Sequence, residues 1–90
     1  MNAIAIRSGV YRAVDMGLED ILSELYTYAF PDINCSERDG KWWASATMRI
    51  KVQGAEFKVR SELKHETPKS AAAELLERVR AAVKQVGGSA

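Results

Sequence analysis

The stretch from Trp42 to Leu63, WWASATMRIKVQGAEFKVRSEL, decides the fold. Its first half alternates. Trp42, Ala44, Ala46, Met48, Ile50 and Val52 are apolar, and the positions between them are Trp43, Ser45, Thr47, Arg49 and Lys51. A period of two held this long buries one face of a strand and wets the other. Gln53-Gly54 interrupts the pattern. It resumes with Ala55, Phe57, Val59 and Leu63 against Glu56, Lys58, Arg60 and Glu62, leaving Ser61 as the one polar residue on the apolar side. Two such runs about a glycine-containing turn predict an antiparallel hairpin.

Facing residues in a hairpin share a face, which limits the register. A loop of Gln53-Gly54, or one from Val52 to Ala55, sets Lys51 opposite Glu56, whereas a loop from Val52 to Gly54 would mix the faces. The inner pairs are then Ile50–Phe57 and Met48–Val59. The outer pairs are Lys51–Glu56, Arg49–Lys58, Thr47–Arg60, Ser45–Glu62 and Trp43–Lys64.

Ahead of the hairpin, Ile33 and Cys35 suit a short first strand that turns at Asp39-Gly40. Before it, Leu18, Ile21, Leu22, Leu25 and Ala29 form one apolar stripe, predicting a helix over 15–29. Asp15 is a suitable N-cap, Glu19 and Asp20 sit near the positive end of the dipole, and Phe30-Pro31 ends the helix. Tyr26 and Tyr28 flank the stripe, so at least one is partly exposed. Residues 1–14 leave two readings open: Ile4 and Ile6 alternate as an edge strand does, and Val10, Tyr11 and Val14 have helical spacing.

After the hairpin, Thr67 can cap a helix whose first residue is Pro68. It runs to about Val86 on a stripe of Ala72, Leu75, Leu76, Val79, Ala82, Val83 and Val86, with Glu74 spaced to pair with Arg78. Residues 87–90 read as a frayed tail.

The expected fold is therefore α+β, in the order α-β-β-β-α, with a three-stranded antiparallel sheet and two helices packed on one face. The 90 residues make one domain, 1–90, able to bury a single core layer. No apolar run is long enough for a membrane helix, and Met1 to Arg7 lack a secretory core, so the expected place is the cytoplasm. The lone Cys35 excludes an internal disulfide. A net charge of +1 argues against a dedicated nucleic-acid binder. The charge is unevenly spread: 13–37 holds only acids, whereas 38–64 is rich in bases.

With both helices on one side, the other side of the sheet is open. It would show Trp43, Ser45, Thr47, Arg49, Lys51, Glu56, Lys58, Arg60, Glu62 and Lys64. Trp43, Thr47, Arg49, Lys51, Lys58, Arg60 and Lys64 are the candidate binding face, Trp43 offering a flat ring beside Lys64. Arg49 opposite Lys58 is unfavourable unless an anion, or Glu56, lies near. The alternative is a solvated face whose tryptophan lies under a loop or under the N-terminal segment. Glu19, Asp20 and Glu24 form an acidic helix face. His65 with Glu62 and Glu66 matches no metal spacing, and Cys35 is far in sequence from His65, so neither metal, cofactor nor catalytic constellation is expected.

The α-β-β-β-α order with a basic loop before the last helix resembles a double-stranded RNA-binding domain over about 15–86. That family's last-helix motif, Lys-Lys-x-Ala-Lys, falls on Lys69, Ser70, Ala71, Ala72 and Ala73, where Lys69 and Ala72 match. The resemblance implies recognition of RNA shape and phosphates by the first helix, the first inter-strand loop and the start of the last helix. Here the first helix carries Asp15, Glu19, Asp20 and Glu24, which repel phosphate.

The leading functional expectation is a small non-enzymatic interaction protein that binds a protein partner, of the kind phages and mobile elements use as inhibitors or accessory factors. The second is nucleic-acid binding by the basic sheet face. The third is a homodimer through an unpaired strand edge.

Overall fold

A computed structural model describes residues 11–86. The expectations for residues 1–10 and for the tail 87–90 lie outside the described residues. The order is a 3-10 turn (Ala13–Asp15), α1 (Leu18–Tyr28), β1 (Ala29–Cys35), β2 (Trp42–Met48), β3 (Lys58–Arg60) and α2 (Pro68–Val86). The strands form one antiparallel sheet in the order β1-β2-β3. This is the expected α+β architecture.

α1 is shorter than its stripe implied. Asp15 does not cap it: Gly17 is the N-cap and offers no side chain. Asp15 instead closes the 3-10 turn, its N–H bonding the Arg12 carbonyl at 3.0 Å. That tight turn carries Ala13 and Met16 into the core, and their burial outweighs the lost cap. At its other end α1 passes straight into β1. Ala29, expected in the helix, is extended (φ −158, ψ 178), and Phe30 and Pro31 are strand residues. Proline forbids helix at Phe30, and the Tyr28 carbonyl then accepts the Arg49 N–H at 2.9 Å, which starts the ladder. The same bond places Pro31 at a position that makes no ladder bond, so an edge strand tolerates it. The first strand is accordingly longer than Ile33 and Cys35 alone suggested.

The β1–β2 turn is the Asp39-Gly40 hairpin expected. Ser36 N–H bonds the Lys41 carbonyl at 2.8 Å, Lys41 N–H bonds Asp39 Oδ1 at 3.0 Å, and Gly40 takes φ +70. At the β2–β3 turn, Val52 and Ala55 exchange two hydrogen bonds around Gln53-Gly54, both with positive φ (53 and 81). This is the predicted two-residue loop, in primed geometry.

The register in the middle differs from expectation. Thr47 faces Lys58, Ala46 faces Val59 and Ser45 faces Arg60, a slip of two residues from the alternation-based pairs. Two compensating bulges absorb it. Near the turn, Arg49, Ile50 and Lys51 stand against Glu56 alone, between the Met48–Phe57 bond and the Val52–Ala55 bridge. At the far end, Trp43 stands against Glu62, Leu63 and Lys64, between the Ala44–Ser61 bond and the Trp42–His65 bridge. A slip of two keeps every side chain on its own face, so alternation could not detect it. It also removes Arg49 from opposite Lys58, a like-charge pairing that costs energy. The bulges shorten the strands, so Ile50, Val52 and Leu63, expected inside, are exposed. Ser61 explains its place on the apolar side: its Oγ accepts the Ala44 N–H at 3.0 Å where the second bulge begins.

The core lies between one face of the sheet and the helices. Ala29, Ala44, Ala46 and Met48 meet Ile21 and Leu25 of α1 and Ala72, Leu75, Leu76 and Val79 of α2, all buried. Alanines on both β2 and α2 let the helix sit close to the strand. Each fully buried leucine contributes about 1.5–3 kcal/mol by leaving water. Thr67 Oγ1 accepts the Ser70 N–H at 3.1 Å, capping α2 as predicted. No described helix packs on the other face of the sheet, which leaves it open.

Candidate functional site

Strand register sets the open face in rows. Phe30, Thr47 and Lys58 lie across it, then Asp32, Ser45 and Arg60, then Asn34 and Trp43. Two rings stand among these polar side chains. Phe30 is 53% exposed, and the Arg49 guanidinium lies 4.1 Å from its centroid. Arg60 lies over Trp43, 5.9 Å from its centroid. Such contacts contribute about 0.5–1 kcal/mol at exposed sites. Arg49 is fixed further by its Nε, which donates to the Tyr26 carbonyl at 2.9 Å. It thus covers one carbonyl at the C-terminus of α1, where a cation is favoured.

The structure sorts the candidate residues. Trp43, Thr47, Lys58 and Arg60 share the open face. Arg49 reaches it through the first bulge and caps α1. Lys51 lies beyond the sheet at the exposed hairpin tip. Lys64 lies within the second bulge and bonds Asp39 at 3.2 Å. Asp39 is held below the usual carboxylate range, first by the Lys41 N–H and then by Lys64, against some opposing burial. A groove of about 540 Å³ runs among Trp43, Arg60, Ser61, Glu62, Lys64 and Arg78. Phe30 was missed by the alternation, because it was assigned to the end of the helix. Its signal was Pro31: an extended residue before it, two positions from an outward Asp32, must itself point outward.

The acidic helix face is smaller than expected. Glu19 and Asp20 are exposed, but Glu24 is only 9% exposed and is bound to α2. Arg80 donates to both its oxygens, at 2.8 and 2.7 Å, and also to the Tyr11 carbonyl at 2.6 Å. Hydrogen bonding to Glu24 holds the Arg80 guanidinium above its ordinary pKa, against the opposing effect of burial. Glu77 joins the cluster, 3.4 Å from Arg80, and accepts the Ala13 N–H at 2.7 Å. Stripe geometry placed Glu24 on the wet side. Its partner lies 56 residues on, beyond the reach of any local pattern.

Compared with known proteins, the chain matches no family model, no curated protein and no solved structure.

The other candidate groups serve the fold. Glu74 does not pair with Arg78, as helical spacing suggested. It turns onto the second bulge, bonding His65 Nε2 at 2.8 Å and the N–H groups of Glu62 (2.8 Å) and Leu63 (3.3 Å). Burial raises its pKa, but these bonds outweigh that and leave it below the ordinary value. Arg78 pairs with Glu62 at 3.2 Å instead. Cys35, expected to be half-buried, is exposed. It faces Trp42, which in turn faces His65. Two strand spacings, about 10 Å, separate Cys35 from His65, too far for a nucleophile–base hydrogen bond. Among the described residues no group of three His, Cys, Asp or Glu could hold a metal ion, and no helix is long and apolar enough to cross a membrane.

Proposed function

We propose that the chain is a small non-catalytic binding module that takes a protein partner on the open face of its sheet. The observation that carries this reading is Phe30, exposed on the open face of the sheet and framed by Arg49, with Trp43 and Arg60 repeating the arrangement on the next strands. Aromatic and arginine side chains on a flat, uncovered surface are the residue types that anchor protein interfaces. Asp32, on the edge strand β1 in the same row as Ser45 and Arg60, disfavours a phosphate chain running along that row. Such a module would serve as an inhibitor or accessory factor of the phage or mobile-element kind, acting on a host protein in the cytoplasm.

Quantitative capture from host lysate tests this, comparing the wild-type chain with Phe30→Thr and Trp43→Ala. The expected result is one partner retained by the wild type and weakened about tenfold or more by each variant, which corresponds to losing one interface anchor. Equal capture by all three proteins overturns the reading. Single-stranded nucleic acid is the second reading, favoured by Trp43 lying in one groove with Arg60, Lys64 and Arg78. Binding that falls steeply with salt and vanishes in Trp43→Ala would support it instead.

A further inference from the structure

The outer edge of β3 offers more than its three residues suggest. The bonds Met48 N–H to Phe57 O and Ser61 N–H to Ala44 O fix the odd-numbered residues of this arm as those bound to β2. The N–H and C=O groups of Lys58 and Arg60 therefore point outward, away from the sheet, and meet no backbone partner among the described residues. Beside them runs a groove of about 360 Å³ between β3 and α2. Lys58, Val59 and Arg60 line it from the strand, and Arg78, Ala81 and Ala82 from the helix. Its lining contains three bases and no acid. It shares Arg60 and Arg78 with the groove that holds Trp43 and Lys64.

We propose that this groove takes an extended acidic segment of a partner protein, added to β3 as a fourth strand. The inference stands independently of the open-face reading, since it concerns the edge of the sheet and not its surface. Strand addition fits because the edge presents alternating donors and acceptors, which only another polypeptide backbone complements in full. A DNA backbone offers acceptors to the two N–H groups but leaves the carbonyls of Lys58 and Arg60 without donors, and in RNA only the 2′-OH groups could donate to them. A second copy of this chain is disfavoured for a different reason: pairing β3 with β3 would set Lys58 and Arg60 against each other.

The pairing also dictates the pattern of the segment. A residue opposite Lys58 or Arg60 points to their side of the sheet, where an acid meets a base. A residue opposite Val59 points towards Ala82 and α2, where a small apolar side chain fits. The segment therefore alternates Asp or Glu with a residue such as valine. Arg78 is drawn from its exposed pair with Glu62, an interaction of the kind that contributes little in water.

The probe is a labelled seven-residue peptide alternating Glu and Val, titrated by fluorescence anisotropy and followed by amide NMR. Three controls accompany it: the Lys-for-Glu peptide, the same acidic peptide N-methylated at alternate residues, and an oligothymidylate of matching charge. Binding is expected to move the amide signals of Lys58 and Arg60 while those of Phe30 and Asn34 stay in place. N-methylation, the Lys-for-Glu change and the protein variant Lys58→Glu should each weaken binding about tenfold or more. Arg78→Glu, on α2 and clear of the sheet hydrogen bonds, gives a second variant should Lys58→Glu disturb the fold. Any one of the following results would overturn the proposal. One is no saturable binding of the acidic peptide to the wild-type chain. Another is undiminished binding of the N-methylated peptide, which would reduce the contact to charge alone. The third is tighter binding of the oligothymidylate, which would assign the groove to nucleic acid. Shifts confined to Phe30, Trp43 and Asn34 would transfer the peptide to the open face and leave the earlier reading standing without this one.

Discussion

The two faces of the one sheet handle charge in opposite ways. On the covered side, charged groups are drawn under the helices and bound to specific partners. Arg80 holds Glu24 with two bonds and reaches the Tyr11 carbonyl, and Glu74 gathers His65 with two backbone N–H groups. On the open side, the exposed Arg49 and Arg60 lie over the exposed Phe30 ring and the half-buried Trp43 ring. Charge on the covered side thus fixes how segments distant in sequence sit together. Charge on the open side contributes little to folding and so is available to a partner. The distinction follows from dielectric: an ion pair under a helix has lost its water and needs its partner, whereas an exposed one does not.

The strongest test of this contrast is Arg80→Ala. It leaves Glu24 buried without a counter-ion and releases the Tyr11 carbonyl from α2, while Glu77 keeps its bond to the Ala13 N–H of the 3-10 turn. The expected loss is about 3 kcal/mol of unfolding free energy, the scale on which breaking a buried pair from one side operates. Urea denaturation measures it. The double variant Glu24→Leu with Arg80→Met should recover most of the loss, because no charge is then left buried. A loss under about 1 kcal/mol for Arg80→Ala would put the pair in the same class as the exposed ones and dissolve the contrast.

How much of this was legible in the sequence depends on how far each signal reaches. Alternation in 42–63 and the α2 stripe are local, and they delivered the element order, the inward faces of Ala44, Ala46 and Met48, and the side on which Trp43 emerges. The turn residues Asp39-Gly40 and Gln53-Gly54 likewise act locally and were readable. The slip between β2 and β3 was not, because a period of two is blind to a shift by two. Nor was the burial of Glu24, whose partner Arg80 comes from another helix. For the candidate site, Trp43, Thr47, Lys58 and Arg60 could be placed from parity alone. Phe30 was lost to the helix because its neighbours continue the α1 stripe, and only the rule for residues before proline marks it as extended.

Glu74 gives an intermediate effect, and one with a pH signature. Its folded pKa lies below the ordinary 4.5, held there by His65 and the Glu62 and Leu63 amides against burial. The unfolded chain therefore takes up the proton first as pH falls. Its contribution to stability is complete well above pH 4.5 and drains away as pH drops through the lower folded value. Glu74→Gln should melt below the wild type at neutral pH, with a gap of about 1–2 kcal/mol from charge-assisted hydrogen bonds weakened or lost. Thermal scans in buffers from neutral pH down to about pH 3 should show that gap closing in the acid range. A gap that stayed constant would mean that packing, and not the carboxylate charge, holds the second bulge to α2.

The smallest expected change is the most informative about the open face. Phe30→Thr keeps a strand-favouring residue at the edge position, removes the ring under Arg49, and leaves Arg49 its bonds to the Tyr26 and Tyr28 carbonyls. Its unfolding free energy should lie within about 1 kcal/mol of the wild type, the scale of the one exposed cation–π contact that is lost. A loss of about 2 kcal/mol or more would mean that the ring is covered in the folded protein, by the chain itself or by a second copy, and that the open face is a second core. A near-neutral result joined to the loss of partner capture would separate stability from binding at a single residue. That outcome is what an uncovered aromatic on a solvent-facing strand predicts. Dispersion and burial stabilise a ring in proportion to what covers it, and here Arg49 covers one side while about half of the residue stays exposed.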